Sequence, residues 1–265
     1  MTTESTIDKV AKALDAAWKS RTPIAPITAT YEDVDLGGSY AVQTAWTAAR
    51  VAAGEKIVGR KIGLTSPAIQ AQLGVSEPDY GTLWENSFYE AKAGAVTIPA
   101  ADFLQPRIEG EVAFLIGEPL KGPNITPEQV LAATKACALG VEIVDSRIAD
   151  WKIKLIDTIA DNASYGGFTL GPWDESLVDM DKLSNLEMKI LHNGELAAEG
   201  LSSAAFGHPA KSTAWLANKL LEFGVSLEPG DVVISGGITK MLPVKAGDEF
   251  VFSLSTQPDL TIKFA

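Results

Sequence analysis

Residues 106–114 read PRIEGEVAF, an apolar run interrupted by two carboxylates. Strand side chains alternate between faces, so Glu109 and Glu111 project to the same side, one beside the other. Like charges placed this way repel, and burying them unpaired is costly. The simplest reading pairs one or both with Arg107, or with a distant base, on a solvated edge strand. A third acid weighs against it. Glu142 lies inside GVEIVDS (140–146), between apolar neighbours where alternation rarely aims a lone carboxylate outward. Three carboxylates from two apolar strands form the kind of oxygen cluster that holds a hard divalent cation. With a single cysteine and two histidines in the chain, zinc is disfavoured, and oxygen coordination with open positions suits Mg²⁺ or Mn²⁺.

Around this stretch the pattern is that of an α+β protein. Further strands are expected at 111–117, 186–200, 231–237, 248–255 and 260–265, with Asn193-Gly194 as a hairpin turn. Few helices separate them, which points to a largely antiparallel or mixed sheet. Before residue 56 the character is helical. Ile7, Val10, Leu14 and Trp18 recur at helical spacing within 5–20, and 37–54 reads as a second helix closed by Gly54. Later helices are expected at 66–74, at 125–140 (Thr126 cap, Pro127, and Gln129 completing a capping box) and at 208–224.

The 265 residues can bury a full core, and 46% apolar with 21% charged residues is ordinary for a globular chain. A net charge of −12 argues against nucleic-acid binding, which wants a basic face. It leaves an anionic substrate open, because a bound cation can invert the local field. Cys137 reads as a plain core residue, and one cysteine excludes an internal disulfide and fits a reducing cytosol. With no signal pattern and no apolar run of membrane-spanning length, the expectation is a cytoplasmic protein without a membrane partner.

Other residues carry two readings each. Lys61, in GRKIGLTS, either snorkels from a strand or supplies a proton or a hydrogen bond to developing negative charge. Asp79, in SEPDYGTL, either forms a Pro-Asp turn or acts as an acid–base group. Asp161, Asn162 and Ser164 in DTIADNASYGG fix turns or line a polar pocket. SGGITK (235–240) offers backbone amides that can approach a carboxylate. His208 reads as a helix N-cap, and His192 as a surface residue beside the hairpin turn.

Taken together, GRKIGLTSPAIQAQLGVSEPDYGTL, PRIEGEVAFLIG, EIVDSRIADWK, DTIADNAS, GHPAKSTAWLANKL and GDVVISGGIT resemble the 2-keto-4-pentenoate hydratase and 2-oxo-3-hexenedioate (4-oxalocrotonate) decarboxylase family, within the fumarylacetoacetate hydrolase-like superfamily. The similarity runs in order from about residue 20 to 255. It implies a mixed, highly curved β-roll over 56–265 with a smaller helical portion at 1–55. It also implies Mg²⁺ or Mn²⁺ on Glu109, Glu111 and Glu142, chelating a substrate carboxylate and its adjacent 2-oxo or enol oxygen. Lys61 and Asp79 become the acid–base candidates. Leu64, Thr65, Asn162, Ser164, Gly237 and Thr239 become substrate-pocket residues.

The implied reaction is hydration of a 2-hydroxyalka-2,4-dienoate to a 4-hydroxy-2-oxoalkanoate, as in meta-cleavage degradation of aromatic compounds. SRIADWKIKLIDTIADNAS looks more like the hydratases, whereas GGIT is shared more with the decarboxylases. Decarboxylation of 2-oxo-3-hexenedioate is therefore the alternative, with acylpyruvate hydrolysis ranked below both. The resemblance further implies a homo-oligomer that can associate with the next enzyme of its pathway.

Overall fold

A computed structural model describes residues 2–66, 70 and 77–265. The helix expected over 66–74 falls largely on residues 67–69 and 71–76, outside the described residues. Among the described residues, twelve strands form two sheets. One takes the order β2-β1-β9-β4-β5-β6, from β1 (Ile57–Gly63), β2 (Asp79–Trp84), β4 (Arg107–Ile116), β5 (Thr134–Val144), β6 (Tyr165–Leu170) and β9 (Val232–Ile234), with β10 (Leu242–Pro243) also on β4. The other runs β3-β12-β11-β7-β8, from β3 (Ala95–Ile98), β7 (Glu187–His192), β8 (Glu195–Leu201), β11 (Glu249–Leu254) and β12 (Leu260–Phe264). Among the described strands, only the β1/β9 and β3/β12 pairs are parallel. The first sheet curls until its outer strands β2 and β6 touch, giving the mixed, curved roll.

The two faces of β4 explain the arrangement. Ile108, Val112 and Phe114 belong to the main core with Met188, Phe250 and Phe252 of the second sheet. Gly110 shares their face, and a Cβ there would lie 2.7 Å from the Met188 Cε, so glycine is what lets the two sheets meet this closely. The other face points into the curl. There Ala113 packs with Leu83, Trp84, Ala138, Tyr165, Phe168 and Ile234, and Glu109 and Glu111 follow on the same side of the strand.

The N-terminal helices α1 (Glu4–Ser20) and α3 (Leu36–Ala52), with the short α2 (Ile27–Thr30) between them, bury Val10, Leu14, Ile27, Val42 and Trp46 against Ile148 and Ala160 of the remaining chain. Helix α3 also reaches the roll directly. The Gln43 Nε2 donates to the carbonyls of Tyr80 (2.8 Å) and Ile159 (2.9 Å), tying β2 to α5 (Leu155–Ala160).

The helix expected at 125–140 is shorter than its pattern. The capping box of Thr126 and Gln129 is present, yet α4 spans only Pro127–Ala133, and β5 begins at Thr134. The stretch TKACAL has little intrinsic preference either way, and pairing with the full length of β4 decides it in favour of strand. Helices α6 (Met180–Ser184) and α7 (Pro209–Leu221) follow among the described residues, and His208 caps α7 as expected, its Nδ1 accepting from the Ala210 N–H at 3.0 Å.

Candidate metal and acid–base centre

Antiparallel register places Glu109 of β4 directly opposite Glu142 of β5, and Glu111 opposite Gly140. All three carboxylates therefore stand on one face, and one oxygen from each lies within 4.8 Å of the others. Glu111 and Glu142 are completely buried. The Glu111 Oε2 accepts from the Gly236 N–H at 2.5 Å, while its Oε1 and the Glu142 Oε2 have no hydrogen-bond partner. Burial, then the neighbouring Glu142, push the Glu109 carboxyl up to about 8, and the same causes raise Glu111. Glu142 is raised too, by burial, although Lys61 opposes the shift. Orphaned buried oxygens held against their own repulsion are a donor set for a hard cation. Mg²⁺ or Mn²⁺ fits them.

A second pair of residues is built by alternating glycines on β1 and β2. Lys61 faces Gly81 across the ladder and Gly63 faces Asp79, so on one face two functional side chains occupy diagonal corners. The missing side chains make the room. A Cβ on Gly81 would lie 3.2 Å from the Lys61 Cδ, and one on Gly63 would lie 2.3 Å from the Asp79 Oδ1 and 3.2 Å from the Lys61 Nζ. The ammonium sits 3.3 Å from the Glu142 Oε1 and donates to the Ala163 carbonyl at 3.0 Å. Burial disfavours its charge, but Glu142, then Asp79, Glu109 and Glu111, outweigh this and hold it above the ordinary lysine value. Asp79 accepts from the Thr158 hydroxyl at 3.1 Å through Oδ2, and its buried Oδ1 is unpartnered. Burial raises its carboxyl, with Lys61 pulling the other way. Asp79 is thus the first residue of a buried strand, and the turn-forming reading of Pro78-Asp79 does not describe it.

Lys61, Asp79 and Glu109 open onto a cavity of about 380 Å³. Of the expected pocket residues, Leu64, Thr65, Ser164, Gly237 and Thr239 line it. Asn162 lies behind the wall, its side-chain amide engaged with both the N–H (2.7 Å) and the carbonyl (3.0 Å) of Thr82. Arg107 makes no ion pair among the described residues; its guanidinium stacks 4.3 Å above the Trp151 ring. Thr158, Trp151, Ile153 and Met241 also line the cavity, and the sequence reading did not single them out. The Lys-x-Gly and Asp-x-Gly spacings of 61–63 and 79–81 were the available signal for the acid–base pair.

Gly237 leads to an expected result. A Cβ there would sit 2.3 Å from the Glu109 Oε2. The far end of a glutamate gives way easily, so Gly237→Ala should fold with a melting temperature close to the parent's. The displaced carboxylate should weaken Mn²⁺ binding about tenfold or more, read by titration calorimetry.

Comparison with known proteins agrees with this geometry. Residues 56–264 match the fumarylacetoacetate (FAA) hydrolase C-terminal family. A 2-hydroxyhexa-2,4-dienoate hydratase of Comamonas testosteroni is 40% identical over 264 residues, covering 100% of this chain and 99% of that one. A 2-keto-4-pentenoate hydratase of Paraburkholderia xenovorans is 40% identical over 92% of this chain and 89% of its own. Among solved structures, a 4-oxalocrotonate decarboxylase from Pseudomonas putida G7, complexed with magnesium and adipate, superimposes with a TM-score of 0.95 at 31% identity over 100% of this chain and 99% of that one. The chain belongs to the fumarylacetoacetate hydrolase C-terminal family.

Proposed function

We propose that this protein is a metal-dependent hydratase that converts a 2-hydroxyalka-2,4-dienoate into a 4-hydroxy-2-oxoalkanoate. The observation that carries the reading is the convergence of Glu109, Glu111, Glu142, Lys61 and Asp79 in the concave side of one curled sheet. Full-length relatives named as hydratases of such dienoates support it. Mg²⁺ or Mn²⁺ on the three glutamates would supply Lewis-acid stabilisation of negative charge on the substrate's 2-oxygen. No helix among the described residues is long and apolar enough to cross a membrane, in keeping with a small water-borne substrate.

The chain's own groups then divide the proton work. Ketonisation moves a proton from the 2-hydroxyl to C5 and leaves a 2-oxo-3-enoate, whose C4 takes hydroxide from water while C3 takes the remaining proton. Lys61, fixed between Glu142 and the Ala163 carbonyl, offers an ammonium to the enolate charge that develops. Asp79, with one buried oxygen free, is suited to move the proton or hold the water. Val144, Trp151, Ile153 and Met241 also wall the cavity, together with the charged Glu199 and Lys240. The preference for a dienoate over an enedioate therefore rests on the full-length relatives named as hydratases.

The likeness to a decarboxylase structure makes carbon dioxide release the outcome to exclude. The test uses protein stripped with chelator and resupplied with Mg²⁺ or Mn²⁺, given 2-hydroxypenta-2,4-dienoate and 2-oxo-3-hexenedioate in parallel. The expected result is metal-dependent loss of diene absorbance with formation of the 4-hydroxy-2-oxo acid. Faster release of carbon dioxide from the enedioate would overturn the hydratase reading.

A further inference from the structure

Asn162, Ala163 and Ser164 all have left-handed backbone conformations, with φ of 54°, 51° and 53°. Non-glycine residues avoid this region, and three in succession persist only where surroundings over-determine them. The segment matters because it delivers the Ala163 carbonyl to the Lys61 ammonium and places Ala163 and Ser164 in the cavity wall.

What holds it is a buried ion pair outside the cavity. Asp161, fully buried, accepts from the Arg147 Nε and backbone N–H (3.0 Å), and from the hydroxyls of Ser146 (3.2 Å) and Ser164 (3.4 Å). Arg147, 1% exposed, spends its remaining donors on the carbonyls of Asp145, Asp161 and Tyr165, the residues that flank the left-handed turn and its antiparallel neighbour. The Asp145 N–H in turn donates to the Ser164 carbonyl at 2.7 Å. Burial pushes the Asp161 carboxyl up to about 6, with Arg147 opposing.

We propose that Arg147 and Asp161 are positioning residues: by clamping both ends of the 162–164 turn, they set the Ala163 carbonyl that aims Lys61 at Glu142 and the substrate. Neither residue lines the cavity or touches the three glutamates. Their effect on turnover runs through Lys61, and the inference rests on the reading of Lys61 given above.

A buried ion pair can often be replaced by apolar side chains without loss of stability, whereas removing one partner is strongly destabilising. This separates a fold-holding role from a positioning role. The double variant Arg147→Met/Asp161→Leu is compared with the parent for melting temperature, Mn²⁺ affinity, kcat and KM on 2-hydroxypenta-2,4-dienoate. The expected result is a folded protein that binds Mn²⁺ within about twofold of the parent, with KM little changed and kcat down about a hundredfold, the cost of a misplaced catalytic group. A folded double variant with kcat within threefold of the parent would overturn the proposal. Should the double variant not fold, Arg147→Lys, which keeps a buried charge beside Asp161 but gives up the fork of donors to the flanking carbonyls, is read by the same split between kcat and Mn²⁺ affinity. Lys61→Met is measured alongside. If it keeps full turnover, the reading of Lys61 fails, and that failure is distinct from an active double variant beside an inactive Lys61→Met.

Discussion

Replacing Glu142 by glutamine is expected to lower metal-supported kcat/KM by about a thousandfold or more, since a bound cation contributes several kcal/mol to stabilising developing charge. Glu142 has no solvent exposure and stands directly opposite Glu109 in the β4/β5 ladder, so its loss breaks the group of three carboxylates. Its loss also removes the carboxylate nearest the Lys61 ammonium. The variant should still fold, because glutamine preserves the volume and removes one of three mutually repelling carboxylates. Mn²⁺ titration should show binding weakened by orders of magnitude, and full activity would refute the assignment of the three glutamates.

The same acids give the chelated protein a pH dependence whose sign can be worked out. Glu109, raised to about 8 from an ordinary value of 4.5, binds its proton more tightly when folded than when unfolded. Its contribution to stability is therefore present at low pH and is lost as pH rises from about 4.5 through about 8. Thermal melts of the chelated protein should fall across that window, and added Mg²⁺ should recover most at its alkaline end.

Much of the centre was legible in the sequence because two periods carry it. Spacing of two put Glu109 and Glu111 on one face without any knowledge of the fold, and the apolar context of Glu142 marked it as inward. What was not legible is register. That Glu142 faces Glu109, and not a residue further along, follows from a ladder that extends past Gly140 back to Thr134, through a stretch expected as the end of a capped helix. The residues alone left Asp79 with two readings for a similar reason. Pro-Asp is a turn signal taken alone, and only pairing with β1 turns it into the first residue of a strand buried along its whole length. Asn162 illustrates the reverse failure. A small polar residue in a glycine-rich segment suggests a pocket, but its left-handed backbone turns the amide onto Thr82 instead. Arg107, the nearest base in sequence to the paired acids, stacks on the Trp151 ring instead of pairing with them.

Lys61→Met and Asp79→Asn should separate the acid–base pair from the metal site. Each substitution roughly preserves volume in a fully buried position, so folding should survive: methionine fills the path of the lysine stem over Gly81, and asparagine can still accept from the Thr158 hydroxyl. Loss of a placed proton donor or acceptor lowers turnover by about a hundredfold to ten-thousandfold, and that fall is expected in kcat for each variant. Mn²⁺ affinity should remain within about tenfold, because none of the three ligand carboxylates has been removed.

The double variant is the sharper measurement. Lys61 and Asp79 meet in the space left open above Gly63, where both reach the same end of the cavity. Groups that serve one proton transfer are strongly non-additive, so combining the substitutions should cost little more than the worse single variant. If the two losses multiply instead, the residues act on separate steps, and the shared space above Gly63 reflects packing alone. Should either single variant retain kcat within threefold of the parent, that residue takes no part in the chemistry, and proton transfer falls to the other member of the pair or to another polar group of the cavity wall, such as Thr158, Ser164, Glu199 or Lys240.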